Sequence, residues 1–144
     1  MGSQLDNFNV SILGIIAAGF TGHIISGVWF SVLFSKQFLK YSGWSEEQRE
    51  KVFKETNMGF SILGSLISKI ITTIVFAILV HNLNITTMGS AVTLAILVWF
   101  GFMVTVCINE VLWHGEKIQF YILNQSCFFV IHVAMGVIYS LIAL

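Results

Sequence analysis

The sequence predicts an all-α, polytopic membrane protein: an antiparallel bundle of four transmembrane helices, with one polar helical extension before the second span. Three observations carry this. The 144 residues are 56% hydrophobic and only 10% charged, with a mean hydropathy of +0.87, whereas a soluble domain carries about 25% charge. Four apolar stretches, approximately 10–34, 58–80, 89–113 and 118–143, each supply the roughly 20 residues a helix needs to cross about 30 Å of hydrocarbon. The connections 81–88 and 114–117 are short, so consecutive spans are expected to pack as antiparallel hairpins within one domain covering 1–144.

The long connection 35–57 holds most of the charge, including Lys36, Lys40, Glu46, Glu47, Arg49, Glu50, Lys51, Lys54 and Glu55. Ser45-Glu46-Glu47-Gln48 has the capping-box pattern, so a helix is predicted to begin there. With no Gly or Pro before Gly59, that helix is expected to run on into the second span. Outside the spans, Lys and Arg fall in 35–57 and at Lys117, and none lies in the N-terminal segment, in 81–88 or at the C-terminus. The positive-inside rule therefore puts 35–57 in the cytoplasm and both termini on the other side. Met1 to Asp6 lacks a basic segment, and Asp6 stands where myristoylation needs Ser or Thr, so neither a cleaved signal nor a lipid anchor is expected. Asn9-Val10-Ser11 and Asn84-Ile85-Thr86 match the glycosylation pattern but lie within a few residues of a span, and are read as coincidence.

Composition also excludes function classes. A formal net charge of zero and a pI of about 6.9 give no basic face for nucleic acid. No Ser/His/Asp, His-Glu-x-x-His, P-loop or paired-Cys metal pattern occurs, so no enzyme is predicted. Cys107 and Cys127 sit in apolar runs and read as small hydrophobes.

Lys69 is the most informative position. It lies eleven residues from either end of 58–80, roughly 16 Å from each surface, beyond the reach of its own side chain. A mid-span lysine costs about 2.5–3.5 kcal/mol. Thirteen Leu, Ile, Val and Phe residues in that span offset it, by roughly 4–8 kcal/mol. The remaining local penalty turns Lys69 toward the interior, a cavity or an anion. Ser61, Ser65, Lys69, Thr73 and Ala77 recur at i+4 as a small or polar stripe. In the first span Gly14, Ala18, Gly22 and Ser26 form one such row, and Gly19, His23, Gly27 and Ser31 the adjacent one.

Depth at 1.5 Å per residue from the cytoplasmic end puts His23 and Lys69 at roughly 16 Å and His132 at roughly 21 Å. Asn124 and Gln125 come at roughly 10 Å, and Asn109 and Glu110 at roughly 5 Å. Ionisable groups at graded depth suit a proton relay or a polar solute. Alternatively, Glu110 is solvated or pairs with Lys117 or a headgroup, and the histidines are neutral packing groups. His23 and His132 are also candidate axial ligands of a haem b. Val28-Trp29-Phe30-Ser31 and Val98-Trp99-Phe100-Gly101 are alike, but the first falls near a span end and the second near mid-span, so no internal repeat is inferred.

Two stretches carry a resemblance. One is Gly27-Val28-Trp29-Phe30-Ser31-Val32-Leu33-Phe34-Ser35-Lys36 with Gly43. The other runs from Trp99-Phe100-Gly101-Phe102 through Asn109, Leu112, Lys117 and Leu123-Asn124 to His132 and Gly136. Together they resemble domain of unknown function family 1761, a family of small integral membrane proteins. The resemblance implies four membrane helices and no assigned reaction, and it points to Trp29, Lys36, Asn109, Asn124 and His132 as shared positions. Val32 and Ser35 depart from the family pattern, where proline and glycine usually stand, and Lys69 has no match in it.

Three readings follow. The leading one is binding or transport of a small polar solute or proton through the bundle, in a homo-oligomer because four helices enclose little space. Its residues are Lys69, His23, His132, Asn109, Glu110, Asn124 and Gln125. The second is a non-catalytic membrane scaffold or complex subunit. The third is the b-type cytochrome, the one reading that calls for a cofactor.

Overall fold

The computed structural model describes residues 10–144; Asn9 and the Met1–Asp6 segment fall outside them. Described residues form α1 (Ile12–Val28) with a π-helical continuation (Trp29–Leu33), α2 (Ser35–Ser42), α3 (Glu46–Glu55) and α4 (Met58–Asn82). They continue with α5 (Met88–Val98), a second π-helical segment (Trp99–Val104), α6 (Thr105–His114) and α7 (Ile118–Ala143). Four stretches are long and apolar enough to cross a membrane: Ile12–Leu33, Met58–Asn82, Met88–His114 and Ile118–Ala143. Their outward faces carry exposed Ile, Leu, Val and Phe, as a chain solvated by lipid requires.

Local chemistry sets the helix starts. Ser11, Asn57 and Thr87 each accept a backbone N–H three residues on, satisfying a donor the first turn leaves orphaned. The capping box at Ser45 and Gln48 is complete in both directions. Gly43 and Gly115 take left-handed φ values of 75° and 72° and close α2 and α6.

Two expectations are corrected. The polar helix does not run into the second span: α3 stops at Glu55, Thr56 is extended, and Asn57 caps a new helix. Capping by the Asn57 side chain outweighs continuation there. Nor do consecutive spans always pair. α1 packs against both α4 and α7, and α5 packs against α7, while α4 and α5 scarcely meet. Small residues choose the neighbours. A Cβ on Gly22 would lie 3.1 Å from Ile131, and one on Gly136 would lie 3.2 Å from the Val92 backbone. At both positions hydrogen permits an approach a larger residue forbids. The two α1 rows separate accordingly. Gly14 and Gly22 face Tyr139 and Ile131 on α7, whereas Gly19 and His23 face Ile70 and Ser65 on α4. Contacts climb α1 as they descend α7.

The tightest packing, around Ile15, Phe76, Met135 and Tyr139, lies in the half remote from the charged connection. Phe76 meets Tyr139 edge to face at 6.0 Å. Grooves open beside Trp29 and Trp99 toward the charged connection, and others open beside Ser11 and Leu83 at the opposite end.

Candidate functional site

From Ser65 onward the stripe on α4 turns inward, while Ser61 is exposed. Thr73 and Ala77 are buried, Ser65 meets α1, and Lys69 is half-buried. The Lys69 stem runs beside Gly22, whose missing side chain leaves it passage: a Cβ there would lie 3.9 Å from Lys69 Cδ. The amine thereby reaches α7, with Nζ 5.3 Å from the centroid of the Phe128 ring, a cation–π distance. Among the described residues no carboxylate lies within ion-pair range of it.

His132 is 4% exposed and its Nδ1 lies 2.7 Å from the Phe128 carbonyl. A carbonyl can only accept, so Nδ1 carries the hydrogen, and Nε2 is an acceptor whenever the ring is uncharged. His132 lies one turn along α7 from Phe128, the ring that Lys69 approaches, and the neighbouring Cys127 is fully buried. His23 Nδ1 is 3.3 Å from Ser65 Oγ, one turn along α4 from the lysine. Lys69, His132 and His23 therefore form one layer across α1, α4 and α7.

The other candidates lie apart from that layer. Glu110 is exposed and pairs with His114 Nδ1 at 2.6 Å. Asn109 is exposed and donates to the Val106 carbonyl of its own helix. Lys36 is exposed at the start of α2, and Asn124 is half-buried on α7. Gln125 is 5% exposed, and its backbone carbonyl accepts from Trp99 Nε1 at 3.1 Å. In the loop after α6, burial and then the nearby Glu110 carboxylate push the Glu116 carboxyl above its usual range.

A haem b does not fit the two histidines. α1 and α7 touch at Gly22 and Ile131, the residues adjoining His23 and His132, and this contact leaves no slot for a macrocycle. His23 is directed to α4 instead.

Residue spacing alone did not single out Trp99, Phe128 or Tyr121. Trp29 and Trp99 each open a π-helical segment. The first is visible in the Phe34 N–H donating to the Trp29 carbonyl five residues back, at 2.9 Å. Tyr121 donates its hydroxyl to the Val104 carbonyl at 2.8 Å, where the second segment ends. The repeated Val-Trp-Phe tripeptide was the available signal: both indoles flank the same turn of α7.

No curated protein and no solved structure matches the chain. A family model described as "Protein of unknown function (DUF1761)" matches residues 13–140. With the match spanning all four apolar helices, the chain belongs to that family.

Proposed function

We propose that this multi-pass membrane protein binds a proton or a small polar solute at the layer of Lys69, His132 and His23, and passes it across the bilayer without covalent chemistry. The observation that carries the reading is an amine at mid-span turned to the helix interior, with no carboxylate partner among the described residues. Such a group is costly unless it is used or compensated, and intramembrane ionisable residues mark pathways for ions and protons. Two imidazoles in the same layer add exchangeable sites beside it. Gln125 and Asn124 lie further along α7 toward the charged connection, with Asn109 and Glu110 at the surface on that side. The charged connection is assigned to the cytoplasm and both termini to the opposite side by the Lys and Arg distribution. Oligomerisation would supply the enclosure that four helices lack.

Proton flux in proteoliposomes under an imposed pH gradient tests this. Lys69→Met and His132→Ala are expected to lower the parent's flux at least tenfold. Flux that persists unchanged in both variants overturns the reading.

A second reading, a scaffold or complex subunit, is favoured by α3, which is polar, exposed and closely packed against no other helix among the described residues. It predicts flux no greater than that of empty liposomes, with Lys69→Met altering only the melting temperature.

A further inference from the structure

Trp29 Nε1 and Gln125 Oε1 are both buried and both lack a hydrogen-bond partner among the described residues. An unmade buried hydrogen bond costs about 1–3 kcal/mol, so two on facing elements are a strong departure from ordinary satisfaction. They are complementary, since the indole can only donate and the amide oxygen can only accept. Both residues line one groove of about 480 Å³, bounded also by Trp99, Tyr121, Ser126 and Phe129. That volume lies within the range of about 300–1,000 Å³ typical of small-molecule sites. The lining is otherwise mostly apolar and sits within the membrane-spanning stretches, so the groove fills from lipid rather than from water.

The π-helical segments shape the groove. Each widens its helix by one residue at the tryptophan and carries the indole toward α7. Trp99 spends its N–H on the Gln125 backbone carbonyl and stacks edge to face on Phe129 at 5.0 Å. Trp29 leans on Phe34 at 4.5 Å and keeps its N–H free. One wall is thus closed by a hydrogen bond and the other is left with an unused donor.

We propose that this groove binds an apolar alcohol taken from the bilayer. A single hydroxyl is the smallest group that accepts from Trp29 Nε1 and donates to Gln125 Oε1 together. Its hydrocarbon would lie against Trp99, Phe129 and the lipid. Both atoms are covered, so an entering hydroxyl requires the Trp29 and Gln125 side chains to turn toward it, the glutamine about its soft terminal torsion. Phosphatidylcholine offers acceptors but no donor and leaves the glutamine oxygen unsatisfied, which gives selection against bulk lipid. This site is separate from the Lys69 layer and does not depend on the transport reading.

The test uses the full chain in phosphatidylcholine nanodiscs, with quenching of tryptophan fluorescence by 11-bromoundecan-1-ol against 1-bromoundecane. The alcohol is expected to quench saturably and at about tenfold lower membrane concentration than the alkane, the effect of one to two added hydrogen bonds. Gln125→Leu, with Trp99 kept as reporter, is expected to lower that preference severalfold, since only the Trp29 donor remains. Equal quenching by the two probes in the parent protein overturns the proposal without recourse to any variant. An undiminished preference in folded Gln125→Leu overturns it as well. So does a groove already closed by a second copy of the chain, seen as cross-linking through Ser126→Cys together with loss of alcohol quenching.

Discussion

Single side chains decide how closely these helices approach. Gly136 meets the α5 backbone at Val92 and the Ala91 carbonyl, neither of which can turn aside as a flexible side chain would. Gly136→Leu is therefore expected to destabilise the fold by about 1–3 kcal/mol, measured by denaturant unfolding in detergent. Glu116 supplies a pH-dependent prediction. Its carboxyl is raised in the folded state, so ionising it opposes folding; its favourable share is present below the unfolded value and is lost as pH rises through the folded one. Glu116→Gln should consequently melt higher than the parent at pH 7, and the difference should vanish below about pH 4, as followed by thermal unfolding across pH. Lys69 shows how far the residue scale was legible. That it turns inward followed from depth and cost alone, but its resting place over Phe128 depends on the passage left by Gly22 on another helix.

At the level of elements, helix starts were readable and helix partners were only half so. Ser45 and Gln48 make a local motif, and the capping box is present as the spacing predicts. The break before α4 escaped the same reasoning because nothing in Thr56-Asn57 forbids a helix; the Asn57 side chain prefers to cap Phe60. Asn57→Ala is expected to cost about 1 kcal/mol and to speed hydrogen exchange at the Phe60 amide severalfold. Of the two small rows of α1, Gly14 and Gly22 meet α7 and Gly19 and His23 meet α4, whereas Gly27 has open space beside it. The π-helical segments had only the repeated Val-Trp-Phe to announce them. Their i to i+5 bonds rest on tertiary support such as Tyr121 donating to Val104, which no local propensity reports.

For the molecule as a whole, α1 and α7 form the spine, α4 lies on one side and α5 with α6 on the other. Chain adjacency suggested a hairpin between the second and third spans, but matched small residues drew α4 to α1 and α5 to α7. Cleavage between Leu83 and Thr87 should therefore leave the two fragments associated in detergent, while Gly22→Trp should release them; co-purification of differently tagged halves measures this. The site was less legible than the topology, because Asn109 and Glu110 share an approximate depth with no inward face. The structure places both on exposed surface, with Glu110 engaged by His114.

The uneven packing along the spine has a directional result. On the transport reading proposed above, a molecule arriving from the side of the charged connection would come upon Lys69 before the tightly packed half. Beyond the lysine, Phe76 and Tyr139 stand together like a stopper, close to Met135 and Ile15. On the proposed transfer, onward passage would require those two rings to separate, which would make the aromatic pair the slow step and the amine a waiting place before it.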